Sequence, residues 1–532
     1  MKGLEARTQA PHLCLPERLL RFGAFVSYVR FEAFQSCEGG NVMYRQTRRS
    51  FLQKSTSGFV AGSVLLSARS YARVIGANEK IRIGVAGIHG RGQAHINEFL
   101  NIPGVEVAYL IDPDKSLFER LAARVKERSG LVPKCVQDVR DALKADDCDA
   151  ISIATTNHWH ALMTFWACQH KKHVYVEKPC SHNVFEGRQC VRAADKYGVI
   201  VQHGTQSRSS TGWARTVAAV ASGKYGKLIV AKAYASKPRW SIGFKPITDP
   251  PPHLDYNLWL GPAPWMPYHE NLVHYNWHWF WETGNGEIGN QGVHQMDIAR
   301  WAITAVTGKV GPKRVVSMGD RWVNEPDRGF KDQGQTPNMH LTVFDFDGVL
   351  LVFEIVGLVG RKGVDGQVYP QKVDNEFITD EGIIREGRFF PKGSDKPVEL
   401  KVEVKPRSGN PFRNFIDCIR SGRREDLDAD ILEGHLSSAL CHLGNISWRL
   451  GQQVPGTTKP DFLGWHEEIA KSWDVITTTL KGTLGLDIAK TTYQLGVELH
   501  YDAEKEKFVN NPEADKLLTR QYREPFVVTE EV

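Results

Sequence analysis

Residues 288–301, IGNQGVHQMDIARW, set a histidine, His294, two positions beyond a glycine and four beyond Asn290. An imidazole titrates near neutral pH, so His294 suits removal of a proton from a hydroxyl. The plainer reading is a helix-start histidine bonded to backbone. A second candidate, Lys178, stands in the tripeptide Glu177-Lys178-Pro179, after the apolar run HVYV. A lysine held beside an acid and a proline can fix a substrate oxygen or share its proton. Its plainer reading is a surface ion pair with Glu177. As isolated residues, both favour their plainer readings.

The segment GVAGIHGRGQAH (84–95), with a strand before it and a helix after, offers a place for a dinucleotide. Its glycines allow a tight turn, so that helix-start amides reach a pyrophosphate. Asp112 closes the next strand, 25 residues past Gly87. An acid there accepts from ribose hydroxyls and repels a 2′-phosphate. Pro113 and Asp114 follow it where an Arg or Ser would suit NADP, which favours NAD. The expected cofactor contacts are Gly87, Gly90, Arg91, Gly92 and Asp112, with Thr155, Asn157 and His160 from ATTNHWH and Glu177 and Lys178 from the tripeptide. On the substrate side stands HENLVHYNWHWFWETGNGE (269–287). Its aromatic faces can stack on sugar rings, and Trp277, His278 and Trp279 run into the His294 segment. The alternation of Trp277, Trp279 and Trp281 also fits one face of a core strand. Asp297, three residues past His294, occupies a neighbouring helical position and joins the substrate-side set. His435 and His442 share a helix face, but with no third ligand the expectation is packing, and no metal is expected.

The elements that must position these residues are legible as a sequence of periods. Short, non-alternating apolar strand segments lie at 80–87, 104–114, 134–136, 148–160 (CDAISIATTNHWH), 172–179 and 198–204, with helical segments between them. That pattern predicts a doubly wound parallel α/β domain over residues 79–205. Residues 206–451 carry longer strands, and FDFDGV within 340–358 reads as a hairpin turn. They predict an α+β domain with a mostly antiparallel open sheet. Residues 452–532 read as a polar tail with scattered apolar anchors, packed on the fold.

The formal charge of +6 is carried by the first 72 residues, which hold ten Lys and Arg, four Glu and no Asp. The remainder is close to neutral, which argues against nucleic acid as a partner. Within that leader TRRSFLQK (47–54) precedes a short apolar run (58–68) and Ser70-Tyr71-Ala72. Arginine pair, apolar run and small-x-small site match an exported precursor, and the run is too short to span a bilayer. Residues 43–72 are therefore expected to be a twin-arginine signal and the protein periplasmic. Residues 1–42 are an extension of uncertain status. Seven cysteines follow the leader with no regular spacing and no Cys-x-x-Cys, unlike a disulfide framework or zinc site.

The motifs GVAGIHGRGQAH, LIDPD, ATTNHWHALMTFWACQHKKHVYVEKP and the glycine–His–Asp segment follow the order seen in the Gfo/Idh/MocA oxidoreductase family, which this chain resembles. The resemblance implies a Rossmann domain carrying NAD(P) and a sheet domain that covers the nicotinamide and binds a sugar or cyclitol. It places the family lysine on Lys178 and the family histidine on His294. The family's aspartate four residues before that histidine is Asn290 here, and Glu282, Glu287 or Asp297 would have to supply the lost charge. The implied activity is NAD-dependent hydride transfer at a sugar, glycoside or cyclitol hydroxyl, with the cofactor held tightly. Some relatives return the hydride, giving redox-neutral glycoside hydrolysis or lysis, and a non-catalytic carbohydrate binder is a third possibility. The resemblance also implies homo-oligomers, and the leader implies the twin-arginine export machinery as a partner without a stable membrane anchor.

Overall fold

In the strands of residues 79–205 both faces are apolar, so both must be covered, and the computed structural model shows how. It describes residues 80–323 and 332–532; the leader with its expected signal lies outside the described residues. Six parallel strands, β1 (Ile81–Ala86), β2 (Val105–Ile111), β3 (Lys134–Val136), β4 (Ala150–Ile153), β5 (His173–Val176) and β6 (Val201–His203), lie in the order β3-β2-β1-β4-β5-β6. Chain order reverses between β1 and β4, which opens a crevice at their carboxyl ends. Helices close the faces. Arg91–Leu100 buries Ile96 and Phe99, and Val184–Tyr197 starts on an Asn183 side-chain cap and stops at Gly198 in the left-handed region.

The fourth strand is shorter than the segment CDAISIATTNHWH suggests. It ends at Ile153, and a helix, Asn157–Gln169, begins four residues on. That helix is buried on nearly all sides from Asn157 to Phe165. A helix without a polar stripe leaves no 3.6-residue period to mark it.

The second sheet has twelve strands among the described residues. Its centre comprises β7 (Leu228–Ser236), β8 (Arg314–Asp320), β9 (Met339–Asp345), β10 (Leu350–Val356) and β11 (Lys372–Thr379), in the order β11-β7-β10-β9-β8. All these pairs are antiparallel except β10 with β7. β9 and β10 form the expected hairpin, with Asp347 and Gly348 at positive φ in its turn. Helices Val293–Thr307 and Ile431–Arg449 cover one face, where Val293, Met296 and Leu443 share a core with Phe353 and Ile355.

Residues 452–532 are not the polar tail that their composition suggests. Helix Glu467–Leu484 sets Ile469, Trp473, Ile476 and Leu480 against Leu341, Val343 and Val352 on the sheet's other face. Further on, Phe526 packs edge-on to Trp159 in the first domain. The Trp277–Trp281 stretch forms no strand; Asn276–Trp279 is a single 3-10 turn. Trp277, Trp279 and Trp281 share a spacing but not a face, because each residue of a 3-10 turn is rotated by about 120° from the one before. All seven cysteines of the described residues are free thiols. Among the described residues no helix is long and apolar enough to cross a membrane.

Candidate active site

The crevice between β1 and β4 deepens into a cavity of about 580 Å3 that both domains line. At one end lies the glycine loop. Gly87 has φ +80°, and a Cβ there would stand 2.5 Å from the Ala154 carbonyl oxygen, so only glycine fits. Nothing approaches the Cβ position of Gly90 within 4 Å. Directly after it begins the ten-residue helix Arg91–Leu100, whose N-terminus has no side-chain cap. Its first amides are therefore left for an anion from the cavity. Gly92 does not line the cavity; a Cβ there would lie 2.0 Å from the Gly87 carbonyl oxygen, so it serves the packing of helix on loop.

Asp112 lines the same end. Its two oxygens accept the Ile88 and Asp114 backbone N–H groups, each at 2.9 Å. Burial, the dominant cause, pushes the carboxyl up to about 6 despite those bonds. Thr155, Thr156 and Asn157 form the middle wall. Thr156 Oγ1 and Asn157 Oδ1 are buried and find no partner within the protein. Uncapped amides, a glycine cradle, an acid and orphaned oxygens are the complement of a dinucleotide's pyrophosphate, ribose hydroxyls and amide. The residues present fit NAD.

The other end holds the reactive side chains. Lys178 Nζ donates to the Asn290 backbone oxygen at 2.8 Å and to its Oδ1 at 3.2 Å. The same amide's Nδ2 donates to Glu287 Oε2 at 3.0 Å. Glu287, fully buried, takes Arg239 on both oxygens at 2.5 and 2.9 Å. Of the three acids considered as replacements for the missing aspartate, Glu287 is therefore the one at the site. Glu282 pairs with Arg520 elsewhere. Burial lowers the Lys178 pKa, with the charges of Glu177 and Glu287 opposing the shift.

Asn290 lies in a wide π-type turn, Ile288–Gly292, that runs into helix Val293–Thr307. Such turns widen the helix locally and recur at functional sites. His294, in the first turn of that helix, is half-buried and faces the cavity rather than backbone. Burial, and then the charge of Lys178, hold its imidazole down to about 3, so it is neutral at ordinary pH.

Several expected residues act one step back. Glu177 touches the cavity, but its Oε1 takes Arg91 Nε at 2.7 Å and His95 Nε2 at 3.1 Å. Burial raises its pKa, yet the His95 hydrogen bond and the Arg91 charge hold it well below the usual carboxylate range. It thereby fixes Arg91 beside the cofactor loop. The ring nitrogens of His160 lie 2.6 Å from the Pro179 oxygen and 3.1 Å from the Thr155 oxygen, tying the lysine loop to the middle wall. Trp277 and His278 line the cavity with their rings stacked at 3.6 Å. His278 Nδ1 donates to the Tyr275 oxygen at 2.6 Å, which leaves Nε2 as an acceptor.

Two substrate-side expectations fail. Trp279 is outside the cavity, under the Arg239 guanidinium at 5.3 Å. Asp297 is wholly buried in an ion pair with Arg208 at 2.9 Å and accepts from Ser437 Oγ at 2.6 Å. Position i+3 on a helix is turned by about 60° from position i, enough here to move a side chain from cavity to core. Sequence reasoning missed Arg239, Lys237, Gln206 and the pair His89 and His274. His274 stacks on His89 with centroids 4.0 Å apart and places Nε2 3.0 Å from Asp114, so residues from the second domain strap over the glycine loop. These contacts join residues far apart in sequence, and no local pattern announces them.

Residues 81–205 match the Gfo/Idh/MocA description "Oxidoreductase family, NAD-binding Rossmann fold", and residues 229–311 match "Oxidoreductase family, C-terminal alpha/beta domain". A protein of Shewanella baltica (strain OS185) named "Glycosyl hydrolase family 109 protein" is 26% identical over 225 residues, covering 38% of this chain and 48% of that protein. One of the same name from Shewanella woodyi is 29% identical over 171 residues, 30% of this chain and 36% of that protein. The chain thus spans about half or less of the curated relatives it matches. The WlbA dehydrogenase from Bordetella pertussis, solved with NADH and UDP-GlcNAcA, superposes with a TM-score of 0.50 and 18% identity, over 70% of this chain and 97% of that one. A putative NADPH-dependent oxidoreductase from Desulfitobacterium hafniense gives 0.50 and 14%, over 70% and 96%. At these identities the two structures share a fold with this chain.

Proposed function

Because the chain belongs to the Gfo/Idh/MocA oxidoreductase family, we propose that it uses NAD to move hydride between nicotinamide and a hydroxyl of a sugar, glycoside or cyclitol. The observation that carries this reading is one cavity holding Lys178 and His294 at one end and the uncapped helix start and Asp112 at the other. Gly87, Gly90 and Arg91 would hold the pyrophosphate, Asp112 the adenosine ribose, and Thr155, Thr156 and Asn157 the remainder. When bound, the nicotinamide supplies the hydride acceptor.

The chain's own residues handle the proton and the oxygen. An ammonium has three N–H donors. Asn290 takes two from Lys178, which leaves one for a substrate oxygen. Neutral His294 accepts the hydroxyl proton on a ring nitrogen, and the lowered pKa of Lys178 eases a shared transfer. Trp277 and His278 wall the sugar end. The strap at His274 supports a retained cofactor, as does the reading of the leader as a twin-arginine export signal.

The likeness to proteins named glycosyl hydrolase family 109 favours a second reading: glycoside cleavage with no net redox change, a hydroxyl being oxidised transiently and then restored. One experiment separates the two. The purified protein is scanned for nicotinamide absorbance before and after glycosides and free sugars are added. Lasting reduction supports the dehydrogenase, and product release without net reduction supports cleavage. A protein that neither carries nor binds a nicotinamide nucleotide excludes both. On a proven substrate, Lys178→Ala is expected to lower kcat by about 100-fold or more. Undiminished turnover would remove Lys178 from the mechanism.

A further inference from the structure

A second cavity, of about 310 Å3, lies where the Trp281–Asn285 stretch meets the end of helix Ile431–Arg449 and the chain near Arg520. Its lining contains polar groups that the fold leaves unanswered. Arg520 Nη1 lies 3.1 Å from His182 Nδ1. A guanidinium only donates, so Nδ1 is the acceptor and the His182 proton sits on Nε2. That Nε2–H is buried and unpartnered. Asn285 and Asn445 are each 5% exposed; the first spends its Nδ2 on His182 O and His442 Nδ1, the second on Asn285 O. The Oδ1 of each is left a buried, unpartnered acceptor.

The charges are equally uneven. Arg520 is neutralised by Glu282 at 2.8 Å. Arg449 forms no ion pair among the described residues, and its guanidinium lies over the Trp281 ring, 5.2 Å from the centroid. An occupant with hydroxyl donors for two amide oxygens, an acceptor for an imidazole N–H and a carboxylate for the exposed, unpaired Arg449 would complement this lining. A simple anion cannot satisfy the amide oxygens, and a neutral sugar leaves Arg449 without a counter-charge.

We propose that this cavity is a binding site for a sugar acid, a polyhydroxylated ring bearing one carboxylate, separate from the catalytic cavity. Its wall is continuous in sequence with catalytic segments. His182 follows Lys178 by four residues, and Asn285 precedes Asn290 by five.

The test is calorimetric titration of the full chain with D-glucuronate, D-glucose and acetate. Glucuronate is expected to bind at least about tenfold more tightly than either fragment of its chemistry. Arg449→Met, at an exposed helix end, is expected to weaken glucuronate about tenfold or more, and Arg449→Lys to weaken it less. Lys178→Met is expected to leave it unchanged. Absence of glucuronate binding, equal binding of glucose or acetate, or indifference to Arg449→Met overturns the proposal. Loss of binding in Lys178→Met with retention in Arg449→Met assigns the ligand to the catalytic cavity and overturns it too. None of these outcomes depends on the reaction proposed above.

Discussion

Asn290 answers two charges with opposite ends of one amide, accepting from Lys178 and donating to Glu287. An aspartate at this position would lose the donor and set two carboxylates about a hydrogen bond apart. Restoring the family's acid is therefore expected to do harm. Asn290→Asp should cost about 1–3 kcal/mol by setting two buried carboxylates against each other, and should lower turnover. Glu287→Gln added to it supplies an amide donor again and should recover part of both losses. Urea denaturation and steady-state rates of the two singles and the double check this, and additive losses would show that the pair is not coupled. Asp112 provides a pH test. Its carboxyl titrates near 6, and ribose hydroxyls bind better to the ionised form. NAD affinity should accordingly fall as pH drops through about 6, and Asp112→Asn should flatten that dependence, as read by nucleotide titration from acid to neutral pH.

Helix Val293–Thr307 carries His294, and its own residues determine where that histidine lies. Asp297, paired with Arg208 and Ser437, pins the helix from its core side. Gly292 lets the preceding π turn sit against the sheet, since a Cβ there would meet Phe353 Cζ at 2.4 Å. Gly292→Ala brings a helix-propensity gain of about 1 kcal/mol. Against it stands overpacking in a core that does not yield, about 1–3 kcal/mol. The expected net result is a lower melting temperature with weakened substrate turnover, and Phe353→Leu should relieve both by making room. A variant as stable as the parent would show that the turn can shift without cost.

Across the whole molecule, the fold holds a set of imidazoles neutral at ordinary pH. Burial, the largest cause at each, holds His158, His203, His278, His294, His340 and His442 down to about 3. The unfolded chain binds protons at such residues near pH 6.5, so between about 6.5 and 3 it takes up more of them than the fold does. Stability from these groups is complete above about pH 6.5 and is lost as pH falls toward 3. A urea midpoint that drops steeply on acidification below neutrality is expected. A midpoint flat from pH 7 to about 5 would mean that these rings are solvated in the folded state.

Much of this protein could be read without coordinates. Apolar runs buried on both faces read as parallel strands because a doubly covered sheet has no polar period to display, and the glycine loop and Asp112 followed from their places at strand ends. Lys178 and His294 became candidates for catalysis through the resemblance in motif order, because their types and places alone fit a surface ion pair and a helix-start histidine equally well. Three things required the tertiary structure. Helix Asn157–Gln169 is buried all round and gives no amphipathic signal. Helix Glu467–Leu484 lies in a segment read as tail, and it earns its place only against a sheet face built from distant residues. The partners of Asn290, and the removal of Asp297 from the site, depend on side-chain directions set by helix rotation and by contacts across more than a hundred residues. Local sequence specifies which groups are present and roughly where each element ends. Which groups answer each other's charge is decided by packing, because electrostatic and hydrogen-bond partners are chosen in space.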